Sequence, residues 1–156
     1  MPTSGTGTRG FTLVEILVVV AIAGIVLAVA AVNLFPSDIE VARREASLLA
    51  LDIEAARDDA WFGGRPTAVS LADGRFRVMR ISAERTWESI PAREHRLPDP
   101  LRVDSLTIDG EPVRIDQPLV FAPDGLGVPF IVALTVRGVA RRIEGDAAGA
   151  VRSVEP

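Results

Sequence analysis

Apolar and polar positions divide the chain into three zones with different periods. From Phe11 to Val32 the only polar side chains are Thr12 and Glu15. A helix of that length reaches roughly 33 Å at 1.5 Å per residue, enough to cross a bilayer core. Beyond Pro36 the pattern changes. Ile39, Ala42, Ala46, Leu49, Ile53, Ala56 and Ala60 recur at spacings of three and four, which draws an apolar stripe along an amphipathic helix. Ser37-Asp38-Ile39-Glu40 reads as its capping box, and Gly63-Gly64 as its stop. From Pro66 onward the runs shorten to strand length. Ala68–Leu71 and Arg75–Ile81 flank an Ala72-Asp73-Gly74 turn, followed by runs at Thr86–Ile90, Leu101–Ile108, Leu119–Phe121, Phe130–Val136 and Ala140–Ile143. Asp109-Gly110, Asp124-Gly125 and Gly138 mark further turns. Short strands at this spacing predict small antiparallel sheets rather than alternating βαβ units. The expected fold class is α+β: a long N-terminal helix, then a head of two small antiparallel β-sheets on which the amphipathic half of the helix packs. The stripe could instead be a coiled-coil seam, but packing on the chain's own sheet is the expectation.

Composition narrows the chemistry. The 156 residues contain no cysteine and one histidine, His95, so neither a His/Cys zinc site nor a Cys-His catalytic pair can be assembled. Asp58 and Asp59 are neighbours on a helix and diverge. Asp99, Asp104 and Asp109 lack the spacing of a calcium loop. No metal, cofactor, catalytic residue or small-molecule substrate is expected. Trp61 and Trp87 are expected to be packing anchors. All 17 basic residues are arginine, as codon bias in a GC-rich genome would give, and the net charge of −4 opposes bulk attraction to nucleic acid. Two arginine groups nevertheless offer guanidinium clusters of the kind that bind phosphate: Arg75, Arg77 and Arg80 on one hairpin, and Arg141, Arg142 and Arg152 near the C-terminus. The competing expectation is that they pair with the acidic residues of the helix and head.

The first zone holds the sharpest signal, because a carboxylate inside an apolar segment costs free energy and is therefore a functional candidate. An ordinary secretory signal would use Arg9 as its basic residue and Ala28-Val29-Ala30 as its cleavage site. The apolar run is longer than such signals carry, and Glu15 at its start does not belong in one. Gly5-Thr6-Gly7-Thr8-Arg9-Gly10 spells a dinucleotide fingerprint, but no strand precedes it.

The run Gly10-Phe11-Thr12-Leu13-Val14-Glu15 resembles the class III signal of type IV pilins and type II secretion pseudopilins. The resemblance implies cleavage by a prepilin peptidase between Gly10 and Phe11, N-methylation of Phe11, and a registering role for Glu15 in a filament. It also implies that both helical halves form one long, gently curved helix. The head narrows the match. Trp87-Glu88-Ser89-Ile90, the Phe121-Ala122-Pro123-Asp124-Gly125 turn and the closing Gly145-Asp146-Ala147-Ala148-Gly149 resemble the GspH/FimT group of minor pseudopilins. The implied organisation is a leader at 1–10, a transmembrane or filament-core helix at 11–35, and a periplasmic head at 36–156 that includes an amphipathic helix at 37–62 and a β-rich region at 66–154. The implied location is the bacterial inner membrane, crossed once, with incorporation into the periplasmic pseudopilus. The implied partners are prepilin peptidase, the major pseudopilin, other minor pseudopilins and inner-membrane lipid. A minor pseudopilin near the tip of a type II secretion pseudopilus is the expected function, and not an enzyme. The alternative is a FimT-like minor pilin of a type IV pilus that binds DNA through Arg141, Arg142 and Arg152; nucleic acid is otherwise not expected as a partner.

Overall fold

The computed structural model describes residues 12–34 and 36–155, with the backbone alone described at 30–34. The chain divides into two units, one ending at Pro36 and the other spanning Ser37–Pro156. The first contains helix α1 (Leu13–Leu34). The second begins with α2 (Asp38–Gly63).

The expectation of one continuous helix is corrected at the junction. Ser37 sits in an extended conformation, φ −63° and ψ 153°, and acts as N-cap of a separate helix. Its Oγ accepts from the Glu40 amide at 3.2 Å, while the Glu40 carboxylate accepts from the Ser37 amide at 3.1 Å. The capping box read from sequence is therefore formed, and it satisfies two donors that would otherwise be orphaned. Gly64 closes the helix in the left-handed region, φ 60°, which an L side chain adopts only with strain.

Among the described residues nine strands follow: β1 (Thr67–Ser70), β2 (Arg75–Ile81), β3 (Trp87–Arg96), β4 (Leu101–Ile108), β5 (Glu111–Val113), β6 (Leu119–Phe121), β7 (Phe130–Val136), β8 (Val139–Gly145) and β9 (Val151–Val154). They form two antiparallel sheets in the orders β3-β2-β1-β6 and β5-β4-β7-β8-β9. Three tight turns place both central residues at positive φ, namely Asp73-Gly74, Arg137-Gly138 and Asp109-Gly110. That is the geometry which matches the twist of a hairpin's strands.

Helix α2 packs on both sheets, against β1 and β6 of the first and β7, β8 and β9 of the second. Ala42, Ala46, Leu49, Ala50, Ile53, Ala56 and Ala60 are buried beneath it. The many alanines let the helix approach the sheets closely. Ile53, Leu106, Leu134, Ile143, Val69, Val78, Val132 and Val136 are the largest apolar side chains buried completely. Each such side chain contributes roughly 1.5–3 kcal/mol by leaving water.

Three sequence expectations change here. Ile39, the proposed start of the buried stripe, is 60% exposed, although its carbonyl accepts from Arg141 of β8 at 3.5 Å. Trp61 is 57% exposed and so is not a core anchor; it stacks on Phe62 with ring centroids 5.5 Å apart. Strand β3 runs past Ile90, through Pro91, to Arg96. Proline fits because β3 is an edge strand and its pairing with β2 shifts between Arg77 and Met79. In the irregular stretch Arg93 forms an ion pair with Asp59 of α2.

Candidate functional site

The N-terminal signal is built on the first turn of α1. Thr12 precedes the helix, and its carbonyl accepts from the amides of Glu15 at 3.0 Å and Ile16 at 3.2 Å. Its hydroxyl also accepts from the Glu15 amide at 3.3 Å. Thr12 is thus the cap, and Glu15 stands three residues in, where the positive end of the helix dipole favours a carboxylate. The Thr-x-x-Glu spacing is a capping signature, and it sets the acid at the mouth of the apolar helix, where the free amides favour it. Gly10 and Phe11, the expected cleavage and methylation residues, lie outside the described residues.

From Leu13 to Val29 every described side chain of α1 is exposed. A helix apolar on all faces is stable only with an apolar surround. Among the described residues no helix is long and apolar enough to cross a membrane; described side chains stop at Val29, inside α1.

In the head the arginine groups separate. Arg75 and Arg77 both bind Glu94, at 3.0 and 3.2 Å, and the Ser89 hydroxyl donates to the same carboxylate at 3.2 Å. The hydrogen bond from Arg77, more than those from Ser89 and Arg75, holds the Glu94 carboxyl below its usual value of 4.5 against the opposing effect of desolvation. Arg80 is exposed and has no ion-pair partner among the described residues.

The C-terminal group does not form the patch that phosphate binding requires. Arg141 is 5% exposed. It donates to Glu155 Oε1 at 2.9 Å and to the Ile39 carbonyl at 3.5 Å, while its Nε has no partner. Its guanidinium holds the Glu155 carboxyl low, with Arg43 adding to the effect. Arg142 is exposed, and Arg152 pairs with Asp146 at 3.2 Å. Adjacent residues of a strand point to opposite faces, so Arg141 and Arg142 could never share one surface on β8. The candidate contact at Arg141 is therefore corrected to a structural tie between β8, the start of α2 and the C-terminal segment.

The remaining polar candidates are also engaged in structure. Asp58 pairs with Arg57 at 2.6 Å. Asp104 accepts from Thr135 at 2.7 Å, and Asp99 lies 3.8 Å from Arg96. His95 stacks on Phe76 at 5.1 Å with Nε2 3.4 Å from Asp52. No group of three acidic or histidine side chains converges among the described residues.

Comparison with known proteins joins the two parts. The prokaryotic N-terminal methylation motif matches residues 6–31. Type II secretion system protein H of Pseudomonas aeruginosa is 29% identical over 147 residues, covering 84% of this chain and 85% of that protein. Two solved structures of the minor pseudopilin EpsH from the type 2 secretion system of Vibrio cholerae superpose with TM-scores of 0.57. They are 19% and 16% identical, and cover 71% and 74% of this chain and 94% and 99% of theirs. The helix and two-sheet head are thus the pilin-like α+β fold, preceded by a prepilin methylation signal. Within that class the chain is similar to type II secretion system protein H and to the minor pseudopilin EpsH.

Proposed function

We propose that the chain is a structural subunit near the tip of a type II secretion pseudopilus, where it supports protein export across the outer membrane. The carrying observation is the conjunction of a capped Glu15 at the start of an exposed apolar helix with a head of the EpsH fold. Prepilin peptidase cuts between Gly10 and Phe11, and Phe11 is then N-methylated. The segment from Phe11 to Val32 sits in the inner membrane before assembly and in the filament core afterwards, with the head in the periplasm. Glu15 registers the subunit by pairing with a cationic group of a neighbour, such as the Phe11 amine, since a carboxylate in an apolar core needs a partner. The head meets the major pseudopilin and other minor pseudopilins. The role is one of assembly, not catalysis. The named relatives favour type II secretion over the DNA-binding pilus branch, which also loses its central cation with the burial of Arg141.

Mass spectrometry of the protein from a host with prepilin peptidase is expected to show an N-methylated Phe11 terminus. Glu15→Val is expected to insert normally, since removing a charge eases insertion, and to fail to enter the pseudopilus. A mature terminus at Ala31, or full secretion by the Glu15→Val chain at native expression, would sink this reading.

A further inference from the structure

One flank of α2, the end of β3 and the β3–β4 connection enclose a groove of about 430 Å³. Helix α2 supplies Glu45, Leu48 and Asp52, and the other wall holds His95, Leu97 and Pro98. Leu97 is buried, whereas Leu48 and Leu51, which also line the groove, are 46% and 58% exposed. Glu45 and Asp52 stand two turns apart, about 10.5 Å along the axis, and so lie on the same side of the helix.

The charges in this groove do not balance. Asp52 has His95 Nε2 at 3.4 Å, and Glu45 has no ion-pair partner among the described residues. Two carboxylates against at most one imidazolium leave the groove negative in either protonation form of His95. Arg96, the next residue of β3, lies 3.8 Å from Asp99 instead. Exposed leucines beside uncompensated acids suit a long basic side chain, whose methylenes cover the apolar surface while its cationic end meets the carboxylates. The same acids repel phosphate, which excludes a lipid headgroup or a nucleic acid. A free polyamine would leave Leu48 and Leu51 in water, whereas a protein segment covers them.

We infer that this groove docks an arginine or lysine presented by a different subunit of the same assembly. This rests on the reading of the chain as a minor subunit near the pseudopilus tip, which sets subunits of other kinds beside it. The stem of the basic residue lies across Leu48 and Pro98, its cation meets Glu45 and Asp52, and apolar neighbours on that subunit cover Leu51. A subunit with a neutral or acidic residue at this place would leave both carboxylates desolvated and unpaired. The groove therefore selects its neighbour by charge.

The test uses full-length chain with a photoreactive benzoylphenylalanine in place of Leu48, produced at native level in the secreting host and irradiated there. Mass spectrometry of the purified adducts identifies the captured peptide. The expected result is a different pilin-like subunit, joined within a few residues of an arginine or lysine. Glu45→Arg together with Asp52→Arg is expected to lower the yield by about tenfold or more, and changing the partner's basic residue to glutamate to restore it. Such restoration shows that the loss was not misfolding. Capture of a second copy of this chain or of lipid, a junction far from any basic residue, an undiminished yield in the double variant, or a loss that the partner's reversal does not repair would each overturn the inference. If no adduct forms while Phe11 is methylated and the chain enters the pseudopilus, only this contact is refuted. If the unmodified chain neither enters the pseudopilus nor carries methylated Phe11, the underlying reading fails, and the contact with it.

Discussion

Single side chains in this protein are specified by the face on which they fall. Arg75, Arg77 and Glu94 meet because β2 and β3 pair Arg77 opposite Glu94 and Arg75 opposite Arg96. Glu94 then collects three donors and titrates low. The sign follows from that direction. A carboxyl with a depressed folded-state pKa stabilises the fold fully above its unfolded value, and the contribution is lost as pH falls through the folded value. Urea titrations of the wild-type chain and Glu94→Gln should therefore differ most near neutral pH and converge as pH falls below 4.5. A difference that stays constant through the acid range would mean that the Arg77 contact does not set the Glu94 titration. Among the described residues the exposed Arg75, Arg96, Arg114, Arg137 and Arg152 each have a carboxylate within 4 Å, whereas the exposed Arg43, Arg44, Arg65, Arg80, Arg85, Arg102 and Arg142 have no ion-pair partner.

Within the elements, close approach decides what is tolerated. Phe130 of β7 pairs with Gly145 of β8, and a Cβ at Gly145 would fall 2.0 Å from the Phe130 ring. Phe130 is 4% exposed and packs edge-on against Phe121 at 6.2 Å, so the ring has little room to retreat. Gly145→Ala is expected to cost about 1–3 kcal/mol, as overpacked cores do. Chemical denaturation would read this directly, and a change within error of zero would show that the ring swings aside. The helix obeys the same logic in reverse. Alanines on its inner face let it bridge both sheets, while its outer face keeps Leu48, Leu51 and Phe62 in solvent.

For the whole molecule, the division at Pro36 separates an N-terminal unit from a head that holds the buried core. A chain beginning at Ser37 is expected to be soluble and to melt in one transition that loses helix and strand together, because a lone helix of this length is only marginally stable in water. Two well-separated melts by circular dichroism would show that α2 is not part of the head's cooperative unit.

What the sequence determined by itself was local in origin. The capping box at Ser37, the stop at Gly64, the turns at Asp73-Gly74 and Asp109-Gly110, and the strands β4, β6 and β7 all follow from residues within a few positions of one another. The match that includes Gly10–Glu15 was legible for the same reason, since an N-terminal methylation motif is a short contiguous string. Tertiary structure decided the rest. Strand β5 and the second half of β3 carry little apolar alternation and exist because a neighbouring strand supplies hydrogen-bond partners. The break between α1 and α2 depended on whether Ser37 would take its cap conformation or continue the helix. Trp61 was left outside and Arg141 taken inside, against the ordinary preference of both residue types, because Trp61 points off the face of α2 that stays buried as far as Ala60, while β8 turns Arg141 toward the start of that helix, where the Ile39 carbonyl and Glu155 receive it. Composition cannot anticipate such placements, since burial belongs to a position in the packed fold and not to a residue.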